Sequence, residues 1–239
     1  QPTVAAAAPA GASQGRAHLT PDAHRFPRME FAHRSTKSET MDDGPVGRAV
    51  LRDLARVNSL TSAFVPIRRF VRRAGAEGTL LDVACGYGDL LRSLSRRFPR
   101  LALSGIDLHV AAARAASPPA IELLEGDVFL LDRNFDLIVS SQFAHHLDDA
   151  GIIRFLGWLE AHAERGWFIC DLHRHPVPHR LIGLIAAALR LDPVIAHDGA
   201  ISVEGGFVRG DWERYATVAG IPGIAIRWWL FRWGVARLK

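Results

Sequence analysis

Leu80-Leu81-Asp82-Val83-Ala84-Cys85-Gly86-Tyr87-Gly88-Asp89-Leu90-Leu91 decides how this chain is read. An apolar run closes on an acid, a short turn with two glycines follows, and an amphipathic pattern begins at Asp89. Gly86 and Gly88 allow the main chain to turn tightly and let a ligand approach with no Cβ in the way. A strand, turn and helix of this kind, at the end of the first strand of an open sheet, form a docking place for nucleotide-like molecules. The pattern alone is common, so its neighbours carry the argument.

Outward from that stretch, apolar runs at 79–84, 101–106, 121–124, 135–140 and 167–171 alternate with helical patterns at 89–97, 109–116 and 149–164. Near-continuous apolar strands separated by helices predict a parallel sheet covered on both faces. The helix over 149–164 takes Asp148 or Asp149 as its cap, puts Ile152, Leu156 and Leu159 on one face, and has Gly166 just beyond. Upstream, Pro45 opens a helix with Val46, Val50, Leu54 and Val57 on one side. A second helix starts near Pro66, buries Phe64, Ile67, Phe70 and Val71, and stops before Gly75. After Asp171 the rhythm breaks. Residues 172–208 hold a His- and Pro-rich turn and an apolar helix at Leu181–Leu189; a helix at 211–219 and an aromatic-rich β-hairpin at 222–237 follow. Residues 1–42 read as a disordered N-terminal arm, because they are small, polar and without period.

At 239 residues, with 49% apolar and 23% charged residues, one domain with a sizeable core is expected. The formal charge of +4 comes mainly from arginine. An anionic partner explains it, and so does a GC-rich coding sequence; the second reading is favoured. Arg68, Arg69, Arg72 and Arg73 likewise read better as a solvated helix face than as a nucleic-acid patch. Cys85 and Cys170 form no disulfide framework and no metal-ligand spacing, which points to a reducing cytoplasmic location. The longest apolar stretch falls short of the ~20 residues of a membrane span, and no basic start leads into an apolar signal segment.

Four strand ends carry chemistry. The first is the Gly86/Gly88 turn. The second is Asp107, closing Leu101-Ala102-Leu103-Ser104-Gly105-Ile106-Asp107, where a carboxylate can accept both hydroxyl hydrogens of a ribose. The third is Gly126-Asp127, where Asp127 can accept adenine amino hydrogens. The fourth runs from Phe135 through Ser140-Ser141-Gln142-Phe143-Ala144-His145-His146-Leu147. Any one of these is also an ordinary strand end or cap; the order and spacing of all four are not.

With these residues in place, the chain resembles a class I S-adenosylmethionine-dependent methyltransferase over roughly residues 45–239, most strongly from Leu80 to Asp171. The family's acid-x-Gly-x-Gly-x-Gly appears here as Asp82-Val83-Ala84-Cys85-Gly86-Tyr87-Gly88, with Ala84 in place of the first glycine. The resemblance implies an α/β, Rossmann-like doubly wound sheet of about seven strands. It is mostly parallel with a C-terminal antiparallel hairpin, N-terminal helices, and a helical substrate cover at 172–208 within a domain over 43–239. It implies S-adenosylmethionine as cofactor. The motif acid Asp82 and the Ala84, Cys85, Gly86 and Gly88 backbone would take the methionine part, with Ser140 and Ser141 beside it. Asp107 and Leu108 would take the ribose, and Asp127 and Val128 the adenine. The stretch ending Ala144-His145-His146-Leu147 is similar to small-molecule methyltransferases of the quinone-biosynthesis type.

A dinucleotide reductase is the rival for a glycine turn followed by Asp107. Its fingerprint wants a glycine where Leu91 stands, and Asp89 puts negative charge where a diphosphate would sit. An O–H acceptor needs its proton removed, which suits histidine near neutral pH. His173, in Asp171-Leu172-His173-Arg174-His175, is the first choice for that base or for orienting substrate, and His145 the second. The alternative is that both rings simply pack or cap helices. No metal is expected from the histidines at 145, 146, 173, 175 and 179, since no cysteine or His-Glu spacing accompanies them.

The expected acceptor is a small, hydrophobic aromatic or phenolic molecule, with O-methylation favoured. The Trp228-Trp229-Leu230-Phe231-Arg232-Trp233 run admits weak contact with a membrane surface, but reads better as an edge covering the sheet. A non-catalytic cofactor-binding partner subunit and a nucleic-acid methyltransferase are the alternatives. The second lacks the Asn/Asp-Pro-Pro-aromatic run that holds a flipped base.

Overall fold

A computed structural model describes residues 31–40 and 47–239. Its centre is a seven-stranded sheet: β1 (Gly78–Val83), β2 (Leu101–Asp107), β3 (Glu122–Glu125), β4 (Phe135–Ser141), β5 (Ala163–Leu172), β6 (Ala225–Trp229) and β7 (Arg232–Leu238). The spatial order is β3-β2-β1-β4-β5-β7-β6. Strands β1 to β5 pair in parallel, and β7 runs antiparallel between β5 and β6. β1 therefore lies between β2 and β4, and the chain winds in opposite directions from it. That switch opens a crevice at the carboxyl ends of the two central strands.

Helices α1 (Arg48–Leu60), α2 (Val65–Arg73), α3 (Asp89–Arg97), α4 (Ala111–Ala116), α5 (Asp149–His162), α6 (Pro176–Leu189), α7 (Pro193–Gly205) and α8 (Arg209–Val218) surround the sheet. Alternation along the strands sends neighbouring apolar residues to opposite faces. Leu81, Val83, Ile138, Trp167 and Ile169 join a core with α5 and α8. Leu80, Leu137, Val139, Phe168 and Cys170 join the other, with α2 and α3. A third, smaller cluster draws Val57 of α1 together with Ala186, Leu191 and Ile195, so the 172–208 insertion packs on α1.

Three expectations change. The helix expected over 149–164 ends at His162, β5 begins at Ala163 with no loop between, and Gly166 lies inside β5. A Cβ there would collide with the Arg237 carbonyl, so the close approach of β7 accounts for the glycine. The helix expected at Leu181–Leu189 starts at Pro176, where His175 Nδ1 accepts the Val177 N–H, and a further helix, α7, follows behind the Asp192-Pro193 cap. The arm expected over 1–42 does not extend through residues 31–40, which pack against the domain. The Arg34 guanidinium donates to the carbonyls of Gly205 (2.9 Å) and Leu147 (2.8 Å) and stacks on Phe207. Residues 1–30 and 41–46, including Pro45 and Val46, lie outside the described residues. Of the arginine row on α2, Arg69 stacks on Trp229 and Arg68 donates to Ser93.

Candidate active site

The crevice is a cavity of about 580 Å³ at the carboxyl ends of β1, β2, β3 and β4. Ala84, Cys85 and Gly86 form one wall in a left-handed turn; φ is 56° at Ala84, 51° at Gly86 and 73° at Gly88. A Cβ on Gly86 would meet nothing within 4 Å, so the turn leaves the space beside it open. Gly88 is not on the wall. It starts α3, its N–H donates to the Cys85 carbonyl at 2.8 Å, and a Cβ there would crowd Ser117.

Asp107 bends back to this turn: its Oδ2 accepts the Gly86 N–H at 2.8 Å and its Oδ1 the His109 N–H at 3.1 Å. A carboxylate offers about four lone-pair positions, so two remain for a ligand. Leu108, 63% exposed, flanks it on the cavity wall. Asp127 caps a short turn by accepting the Phe129 N–H at 2.9 Å, and with Val128 and Phe129 it closes the far end. Ser141 lines the cavity and its buried hydroxyl has no hydrogen-bond partner among the described residues. Ser140 is fully buried, equally without a hydroxyl partner, and lies behind the wall.

Among the described residues the wall carries Asp82, Asp89, Asp107 and Asp127 and no lysine or arginine. Burial, with the charges of Asp89 and Asp107 adding, holds the Asp82 carboxyl well above the usual range. Burial also raises Asp89, against the Asn58 hydrogen bond that lowers it. Burial pushes the Cys85 thiol up and keeps it inert. Sequence reasoning missed the third side of the site, supplied by α1. Asn58 Nδ2 donates to Asp89 at 3.4 Å and Asn58 Oδ1 accepts from Gln142 at 2.8 Å, spanning the crevice.

A methyltransferase-domain family model matches residues 80–166. Over these residues the chain is similar to methyltransferase domains of the class I, S-adenosylmethionine-dependent kind. The chain is 38% identical over 82 residues to the ubiquinone/menaquinone biosynthesis C-methyltransferase UbiE of Syntrophotalea carbinolica; the match covers 34% of this chain and 32% of that protein. This chain thus aligns with about a third of that relative. The plantazolicin methyltransferase BpumL, solved with a monoazolic desmethylPZN analog and SAH, superposes with a TM-score of 0.61 at 14% identity, covering 80% of this chain and 77% of that one. PigF, solved with SAH, gives 0.56 at 16% identity over 78% and 56%. At such identities the structures establish a shared fold.

A second cavity of about 310 Å³ adjoins the first in the methyltransferase fold, and Leu51, Leu54, Gln142 and His146 border both. Its walls are mostly apolar: Leu181, Ile182 and Ile185 of α6, Ile195 of α7, and Leu230 and Phe231 at the hairpin tip. No helix among the described residues is long and apolar enough to cross a membrane.

The two histidines chosen from sequence fall differently. His173 lines neither cavity. It sits beside the hairpin, where its Nδ1 accepts the Trp228 indole N–H at 3.3 Å and its ring meets Trp233. Burial and the nearby charges of His175 and Arg174 lower its pKa to about 4. His145 does line the second cavity, but both ring nitrogens face carboxylates: Nδ1 lies 2.7 Å from Asp171 and Nε2 3.3 Å from Glu39. Burial would lower its pKa; Asp171 and Glu39 outweigh that and push it up to about 10. Both ring nitrogens are thus turned toward anions, an arrangement that favours the protonated ring. Its neighbour His146 packs against it at a tilt, ring centroids 4.3 Å apart, and borders both cavities. Glu39, His145 and His146 bring potential metal-ligand atoms within 4.8 Å of one another, a cluster hidden from the sequence because Glu39 lies 106 residues away.

Proposed function

We propose that the chain transfers a methyl group from S-adenosylmethionine to oxygen on a small, hydrophobic aromatic or phenolic acceptor. The observation that carries this reading is the character of the larger cavity, a glycine turn ringed by four aspartates with no basic side chain from lysine or arginine. Such a wall favours a cationic ligand and disfavours a diphosphate. The cofactor, when bound, supplies an electrophilic methyl group on a positively charged sulfur. The two free acceptor positions of Asp107 suit ribose hydroxyls, with Leu108 alongside. Asp127, Val128 and Phe129 suit the purine, and the Ala84–Gly86 main chain with the unpaired Ser141 hydroxyl suits the amino-acid end.

Alignment and exclusion of water supply most of the rate in such a displacement. Here α1, α6 and α7 wall the second cavity and keep it apolar. Gln142 and His146, at the boundary, are where the reacting ends of cofactor and acceptor would meet. His146 is therefore the imidazole placed to take the acceptor's proton, and the His145 ring is a fixed neighbour.

The test incubates the protein with methyl-tritiated cofactor and a metabolite extract supplemented with simple phenols and quinols. Label in an extractable aromatic product supports the reading. Binding of the cofactor with no labelled product marks a non-catalytic subunit, and label in nucleic acid marks the other alternative; either contradicts it.

A further inference from the structure

The second cavity contains a buried cation that has no ion-pair partner among the described residues. Arg232 opens β7, is 5% exposed, and lines the cavity beside Thr61. Its Nη2 donates to Thr61 Oγ1 at 3.1 Å, while its Nε is shut away from solvent with no hydrogen-bond partner. Thr61 has already committed its hydroxyl hydrogen to the Val57 carbonyl at 2.8 Å, so it serves Arg232 purely as an acceptor. Asp171 acts on Arg232 through its charge but forms no ion pair with it. Its oxygens are taken by the His145 ring, the His145 N–H and the Leu172 N–H.

A guanidinium carries five N–H donors and is almost never fully buried without a partner. Leaving one unpaired in an apolar wall weakens the fold, and replacing such a charge by hydrocarbon is commonly neutral or stabilising. Its retention here calls for a ligand. The rest of the planar guanidinium, on the cavity wall with N–H donors to spare beyond the one given to Thr61, suits pairing with a carboxylate. A doubly charged anion fits poorly, because Glu39 lines the same cavity and Asp171 is buried just behind the His145 ring.

We propose that Arg232 binds an ionised carboxylate carried by the acceptor. The substrate of the second cavity is then an organic acid whose hydrocarbon part lies against Leu181, Ile182, Ile185 and Leu230, with its methyl-accepting end toward Gln142 and His146. That the acid is a methyl acceptor rests on the function proposed above; that the cavity binds a carboxylate does not.

The test is titration calorimetry of the full chain, saturated with S-adenosylhomocysteine. The probes are 4-hydroxybenzoate and 3-phenylpropionate, their neutral counterparts 4-hydroxybenzyl alcohol and 3-phenylpropanol, and inorganic phosphate. Wild type should bind the acids about tenfold or more tighter than the alcohols. Arg232→Met should erase that preference and Arg232→Lys retain part of it. S-adenosylhomocysteine affinity should be the same in all three, because Arg232 is not on the wall of the first cavity. Arg232→Met should also melt no lower than wild type, which a merely structural arginine would not allow. Should that variant fail to fold, the proposal is overturned as regards stability, and the acid preference of Arg232→Lys against wild type still tests the binding. Equal affinity for acids and alcohols in wild type, a preference that survives in Arg232→Met, or phosphate binding without acid binding would each overturn it. A chain that shows the acid preference but binds no S-adenosylhomocysteine would retain Arg232's role and lose the methyltransferase reading.

Discussion

Asp107 and Gly86 are joined across the crevice: the carboxylate at the end of β2 accepts the N–H of the turn that follows β1, at 2.8 Å. One side chain thus fixes the shape of the glycine turn and presents its remaining lone pairs to the cavity. Asp107→Ala should weaken binding of S-adenosylmethionine about tenfold or more, in line with loss of charge-assisted hydrogen bonds. Calorimetry checks this, and unchanged affinity would remove Asp107 from the site.

The acid-lined wall predicts a pH effect of definite sign. Burial holds Asp82 and Asp89 above the ordinary carboxylate range, so both are partly neutral where a free aspartate is already charged. A bound cation favours the ionised forms and releases their protons. Affinity for S-adenosylmethionine should therefore rise with pH above the usual carboxylate range. S-adenosylhomocysteine lacks the sulfonium charge and should rise less. Parallel curves for the two would show that these acids do not sense the sulfur.

The placement of the histidines separates them kinetically. His146→Ala should lower kcat about a hundredfold, within the range of general-base catalysis, with cofactor affinity kept. His173→Ala, outside both cavities, should leave kcat near that of wild type. A slow His173 variant beside a normal His146 variant would reverse the assignment.

Arg34 clamps the segment before α1 to three parts of the domain, bonding Gly205, Leu147 and Asp149. Arg34→Ala should cost about 1–3 kcal/mol, the range for losing hydrogen bonds of a charged group. Denaturant titration measures it, and a midpoint equal to wild type would show the segment to be dispensable.

At the hairpin tip Leu230 and Phe231 both have positive φ, 40° and 60°, in a two-residue turn that favours Asn-Gly. Left-handed backbone costs a bulky residue about 1–2 kcal/mol. Replacing the pair by Asn-Gly should raise the melting temperature while weakening binding in the second cavity, whose wall the two side chains form. A lower melting temperature would show that their packing outweighs the strain.

Much of the architecture is legible because period and punctuation are local. The five parallel strands, the turn at Gly86 and the acids at the strand ends announce themselves within a few residues of chain. Three features are not local. Glu39 reaches His145 across 106 residues of sequence, and no pattern near it marks a buried carboxylate. Asn58 faces the crevice only because α1 folds over it. His173 stands at a strand end like His145, but its backbone N–H is drawn to Phe231, which places it beside the hairpin. Chemical type nominates a histidine, and the direction of the main chain after β5 decides where it points. The Asp192-Pro193 pair did mark the start of α7 and is the one signal a closer reading of the sequence could use.

A crystal structure of the chain with S-adenosylhomocysteine tests the central claim most directly. The account predicts the ribose hydroxyls on Asp107, the purine beside Asp127 and Val128, and the sulfur facing Gln142 and His146 at the mouth of the second cavity. Nucleoside density anywhere else, or none at saturating concentration, would contradict it.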